Sequence, residues 1–202
     1  MYSTRANLVL GFHGCDRTVR DKVVSQKDKL KKSENTYDWL GSGFYFWEYS
    51  PARALSFATE KMERDKKRAA QGKHVENPIR IPSVLGAIIC LGRCLDLLDE
   101  QPIRVVKNAH EALSAIYAEK LKINKDFLRE LDCQVIEYVH NTNAETNGVP
   151  YDSVRAAFFE GKPLYPTAGF QEKNHIQICI CNPNCIKGYF IPLDSDEAHR
   201  IV

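Results

Sequence analysis

The chain has 202 residues, 44% hydrophobic and 27% charged, with a formal net charge of +2 at pH 7. That length suits one domain able to bury a sizeable core, and the composition is ordinary for a globular protein. No apolar run approaches the roughly 20 residues that span a bilayer, and "MYSTRANLVLGFHG" has neither a cationic start nor a small-residue cleavage site. The expectation is a cytoplasmic, unanchored protein.

The apolar run "NLVLGFHG" predicts a first strand with the polar His13 at its tip. Residues 17–36 have little periodicity and are expected to be a loop with one helical turn. Within them, 17–32 carry seven basic and two acidic side chains. Residues 51–72 carry six and three, so the rest of the chain sums to −6. A basic zone on an acidic body favours a phosphate-bearing ligand or nucleic acid; a solvated loop and helix end is the alternative. The stretch "GSGFYFWEYSPARALSFA", Gly41 to Ala58, concentrates Phe44, Tyr45, Phe46, Trp47 and Tyr49 behind a glycine turn. Those rings suit either a core strand or a platform for a planar ligand. Ser50 followed by Pro51 predicts a helix start, a capping hydroxyl before proline. Leu55, Ala58 and Met62 then follow helical spacing, and the polar stretch runs out to Gly72.

Residues 73–83, with Pro78 and Pro82, read as a connector. "VLGAIICLGRCLDLL" predicts a buried strand and then a short turn or helix. Residues 102–122 and 125–141 read as amphipathic helices, with Ala109, Leu113, Ile116 and Ala118 on the first and Leu128, Leu131, Val135 and Val139 on the second. Three strands are predicted to close the chain, over Ser153–Phe159, Ile176–Cys181 and Ile186–Ile191. The order implies a single α+β domain. The seven cysteines lack paired ligand spacing, so they read as free thiols acting as small hydrophobes, with no metal.

Three polar residues interrupt apolar strands: His13, Tyr45 and Gln177. "GFHG" on a first strand, "GSGFYF" followed by a Ser-Pro helix start with "ARALSFA", and a late strand "HIQICIC" together resemble the ADP-ribosyltransferase superfamily, in its diphtheria-toxin and poly(ADP-ribose) polymerase-like branch. The similarity covers the first 60 residues, "LGAIICLG" and the C-terminal run from Tyr151, and thins over 101–148, taken as a helical insertion. It implies a split β-sandwich over residues 1–202, with NAD+ as co-substrate in the cleft between its sheets. His13, Tyr45 and Gln177 would be the catalytic set, with His13 donating to the adenosine-side ribose and Tyr45 stacking on nicotinamide. The Gly14 backbone would hold the carboxamide, Phe57 would form a second wall, and Gly43 and Ser50 would shape the pocket. Arg17 or Arg20 would pair with the pyrophosphate.

The implied activity is mono-ADP-ribosyl transfer to a protein or nucleic acid, with release of nicotinamide. Where many members of this branch carry glutamate, Gln177 is uncharged: it can accept from the ribose 2′-hydroxyl but cannot act as a base. Glu172 is a candidate to return a carboxylate to the site, or a solvated loop residue. The rival readings are a module that binds NAD+ or ADP-ribose without reacting, and a structural domain with no ligand.

Overall fold

The computed structural model describes residues 8–117, 120–125 and 128–193. In chain order the elements are β1 (Leu8–Asp16), α1 (Arg17–Val24), β2 (Phe44–Glu48), α2 (Pro51–Ala70), β3 (Pro82–Cys90), β4 (Cys94–Asp96), α3 (Glu100–Tyr117), α4 (Glu130–Asn147), β5 (Ser153–Phe158), β6 (His175–Ile180) and β7 (Ile186–Phe190). They form an α+β fold around one mixed seven-stranded sheet of order β4-β5-β6-β2-β1-β3-β7. Only β4–β5 is parallel; every other pairing is antiparallel.

Local chemistry explains where the elements depart from the sequence pattern. In place of one helical turn, α1 is eight residues long: Asp16 caps its start, accepting from Thr18 N at 2.9 Å and Thr18 Oγ1 at 2.7 Å, and Val23 and Val24 pack its far end on the core. Helix α2 begins at Pro51 as expected, but the Ser50 hydroxyl makes no cap bond; proline at the first helical position suffices, because its missing N–H would have no helical partner. Its buried residues are Ala54, Ala58 and Asp65, while Leu55 stays exposed. The segment after β3 turns at Gly92 (φ 59°) and makes the short strand β4 before the expected turn, which comes at Leu97 and Leu98. Of the two helices expected between 102 and 141, α3 starts two residues early and α4 runs to a left-handed Gly148 (φ 67°), a common helix stop. Leu113, Val135 and Val139 are buried, whereas Ile116 and Leu128 are exposed; Ala118 falls outside the described residues.

The sheet folds over on itself. Strands β3 and β4 lie five positions apart in the sheet order, about 24 Å at the usual spacing of roughly 4.8 Å. Only Leu91, Gly92 and Arg93 separate them in the chain, a reach of about 14 Å at most. The two ends of the sheet must therefore approach, and the fold falls between β2 and β1. That ladder has two residue pairs, Gly11↔Glu48 and Phe12↔Trp47, against nine between β1 and β3. Register places Phe46, Leu85, Ala87, Ile89, Ile178 and Ile180 on the same, inner face, where they form one buried cluster with Cys15, Val23, Leu30 and Leu91. On the outer face, α2 covers Phe12 and Trp47, and α4 covers Val154 and Cys179 through Ile136 and Val139.

A buried ion cluster ties three strands of the first half together. Arg155 on β5 donates from Nε to Glu48 on β2 at 2.6 Å and from Nη1 to Asp96 on β4 at 3.2 Å. Burial alone would lower the Arg155 pKa; its bonds to Glu48, with the charges of Glu48 and Asp96, more than offset that.

Candidate active site

The site is built where β1 and β2 part. Tyr49 N donates to Leu10 O at 2.9 Å, so by strand alternation Leu10, Phe12 and Gly14 all turn their amides toward β2. The next hydrogen-bonded pair in that register would be Gly14 with Tyr45. It is not made: the ladder stops at Phe12↔Trp47, and His13 Nδ1 takes the Tyr45 carbonyl instead, at 2.8 Å. A carbonyl only accepts, so Nδ1 carries the proton and Nε2 is the acceptor of the neutral ring. Burial lowers the His13 pKa, against the opposing pull of the Tyr45 carbonyl, which keeps the imidazole neutral at pH 7. Its edge packs on Phe46, ring centroids 6.0 Å apart.

Gly14 owes its lack of a side chain to α2. A Cβ there would lie 2.1 Å from the Ala54 carbonyl oxygen. At Gly43 a Cβ would meet Cys179 Sγ and Ile180 O, so that glycine lets the turn lie against β6. The half-buried Tyr45 ring packs in the cluster of Leu40 and Cys179. Its hydroxyl donates to Gly41 O at 2.7 Å and accepts from Leu40 N at 3.0 Å. Burial and neighbouring Cys179 push its pKa far up, so the phenol stays protonated.

Gln177 pairs with Trp47 on β2 and Ala156 on β5. His175, two residues earlier on the same face, donates from Nδ1 to Lys173 O at 2.6 Å, leaving Nε2 to accept from Gln177 Nε2 at 3.1 Å. That bond fixes the amide, with Oε1 as its remaining acceptor. His175 is stacked on Phe158 (5.6 Å, 22°), and burial lowers its pKa, consistent with the acceptor role. Tyr45, Trp47, His175 and Gln177 share the outer face, whereas His13 lies on the inner face with Phe46. The structure thus joins His13 to Tyr45 through the Tyr45 backbone and Gln177 to Tyr45 as a diagonal neighbour across β2–β6.

The other residues singled out in the sequence are spread more widely. Phe57 packs on Trp47 (4.9 Å) rather than beside Tyr45, and Ser50 precedes α2. Arg17 is exposed at the start of α1. Arg20 pairs with its neighbour Asp21 at 2.7 Å. Glu172 is exposed and braces its own loop by accepting from Lys162 N at 3.2 Å.

Around Gln177 the structure adds groups that sequence reasoning missed. Arg53 bonds Glu160 at 2.7 Å and lies over the Trp47 ring, 5.6 Å from its centroid. Trp47 Nε1 and Arg53 Nε and Nη1 are shut from solvent without a hydrogen-bond partner among the described residues. Lys173 pairs with Glu60 at 2.7 Å, so two ion pairs hold the 159–174 connection against α2. Strand alternation could have found His175; nothing in the sequence joins Arg53 to Glu160, 107 positions away. Among the described residues no group of three or more His, Cys, Asp or Glu side chains could hold a metal ion, and no helix is long and apolar enough to cross a membrane.

No family model, curated protein or solved structure matches this chain.

Proposed function

We propose that the chain is an NAD+-dependent mono-ADP-ribosyltransferase acting in the cytoplasm on a protein or nucleic acid acceptor, and that its folded sheet is a split β-sandwich. The observation that carries the reading is the unmade Gly14–Tyr45 pair at the seam. There the backbone of Gly14 lacks its ladder partner and keeps one donor and one acceptor, the pattern a carboxamide such as that of nicotinamide would satisfy. Neutral His13 accepts a ribose hydroxyl at Nε2, the reverse of the donation implied by the resemblance. NAD+ then lies across the seam, which brings an inner-face histidine and outer-face residues to one ligand.

Cleavage of the nicotinamide–ribose bond builds positive charge at the anomeric carbon. A contact to the ribose 2-hydroxyl that strengthens as charge develops stabilises it, as in glycosidases. With its amide nitrogen held by His175, Gln177 presents Oε1 for that contact. The residue supplies orientation and a dipole but no base, which favours a single transfer over chain elongation.

Two observations favour the rival module that binds NAD+ without reacting: Gln177 is uncharged, and Glu172 is spent on its own loop. Incubation with nicotinamide-labelled NAD+ separates the two. Release of label by the parent, reduced about 10²–10³-fold in Gln177→Ala with binding retained, supports the transferase. Binding without release supports the module. No binding, or unchanged turnover in Gln177→Ala, refutes the proposed site.

A further inference from the structure

A second constellation lies beyond the end of β6 and is used by nothing above. Cys181, half-buried just past Ile180, has its Sγ 3.6 Å from Nε2 of His140 on α4. The His140 ring meets the edge of Tyr151 (6.0 Å), and Arg93 lies over the other ring of that pair, 4.8 Å from the Tyr151 centroid. Cys181 N is anchored on Asp152 O at 2.9 Å. The remaining titratable groups around the thiol are Cys179 on β6, Glu137 on α4 and Cys185 in the turn before β7. Five other cysteines, at positions 15, 94, 133, 179 and 185, are buried. Cys90 and Cys181 are the partly accessible ones, and of these two it is Cys181 that has a histidine within hydrogen-bonding range among the described residues.

From this arrangement we infer that Cys181 and His140 form a thiolate–imidazole pair that makes Cys181 a modification site for small soft electrophiles, hydrogen peroxide in particular. The step balances within the pair. The Cys181 proton passes to His140; the thiolate sulfur attacks one peroxide oxygen, an S–O bond forms and the O–O bond breaks. The departing hydroxide takes the proton back from His140 as water. Sulfur is oxidised by two electrons to sulfenic acid and peroxide is reduced. The supporting electrostatics agree in direction: a hydrogen bond from Cys179 comes first, burial opposes it, and His140 adds to it, holding the Cys181 thiol at about 6. Cys179 itself stays protonated, since burial raises it. The site also borders the seam, because Cys179 Sγ lies 3.6 Å from the Gly41 carbonyl that accepts the Tyr45 hydroxyl.

The test uses the intact protein, limiting iodoacetamide and peptide mass mapping across pH 5–9. Cys181 is expected to label first, with a rate midpoint near pH 6, about two units below an ordinary thiol. At pH 6 the larger thiolate fraction, discounted for the weaker nucleophilicity of a low-pKa thiolate, leaves a rate about tenfold above an ordinary exposed cysteine. His140→Leu should move the midpoint up by a pH unit or more, and hydrogen peroxide with a sulfenic-acid trap should mark Cys181 and not Cys90. A midpoint for Cys181 in the parent at the ordinary thiol range overturns the inference without any variant. So does labelling of Cys90 ahead of Cys181, or an unmoved midpoint in a folded His140→Leu protein.

Discussion

Replacing Gly14 by alanine tests how tightly the seam is built. The added methyl would sit 2.1 Å from the Ala54 carbonyl oxygen and 3.3 Å from Ala58 Cβ. The first distance is more than about 1 Å inside van der Waals contact. Its partner is a helix backbone oxygen that cannot rotate away, so α2 must lift off β1 or the strand must bow. Overpacking typically costs about 1–3 kcal/mol, and a rigid partner places this case near 3. For a chain of this length that corresponds to a fall in Tm of about 6–12 °C. Gly188→Ala is the control, because a Cβ at Gly188 meets nothing within 4 Å, and it should stay within about 0.5 kcal/mol of the parent. Urea unfolding of both variants at one pH gives the comparison. If Gly14→Ala and Gly188→Ala unfold alike, α2 does not press on β1 and the geometry assigned to the seam is wrong.

Arg155→Ala removes the cation that Glu48 and Asp96, both with side chains under a tenth exposed, share. It should cost about 3–5 kcal/mol in urea unfolding, and a loss below 1 kcal/mol would show that the cluster is solvated. His13 has a folded pKa below its unfolded value of about 6.5, so its contribution to stability is complete above pH 6.5 and is lost as pH falls through the lowered pKa. His13→Gln should therefore flatten the acid side of the stability profile. His175, shifted in the same direction, leaves part of the slope in place, and an acid limb identical to the parent's would refute the buried neutral His13.

The C-terminal strands were legible because β5, β6 and β7 are short apolar runs bounded by turn residues. Helix α1 was hidden because in "RTVRDKVV" the residues that reach the core, Val23 and Val24, sit at the end of a charged run, and its start is set by a capping carboxylate in the preceding strand. The three-residue β4 has no periodicity of its own and exists because β5 lies beside it. At the site, His13, Tyr45 and Gln177 stood out as polar residues in apolar strands. Their relation did not, since it depends on where a ladder stops, and that is set by the folding over of the whole sheet. Tyr45 shows how position and role come apart. Its strand placement followed from alternation, yet its hydroxyl is used to pin the Leu40–Gly41 turn.

The pairing of Gln177 with His175 gives a physical reason for an amide where the resemblance leads one to expect a carboxylate. His175 Nδ1 is committed to the Lys173 carbonyl, so a neutral ring can only accept at Nε2. A glutamate at 177 would set a carboxylate against that lone pair unless the ring took a proton. Burial opposes that proton and so does the charge of Arg53, while Glu160 favours it. Gln177→Glu is thus expected to raise the His175 pKa and to couple the two groups, so that the variant has its amide-like geometry only at pH values where the imidazolium forms. Nicotinamide release by Gln177→Glu should be highest on the acid side and fall as His175 deprotonates, whereas Gln177 in the parent imposes no such limb. Titration of the His175 ring by NMR in both proteins measures the coupling directly. An unshifted His175 together with an unchanged pH profile for release would mean that residue 177 does not depend on this histidine, and the orientation assigned to its amide would fall.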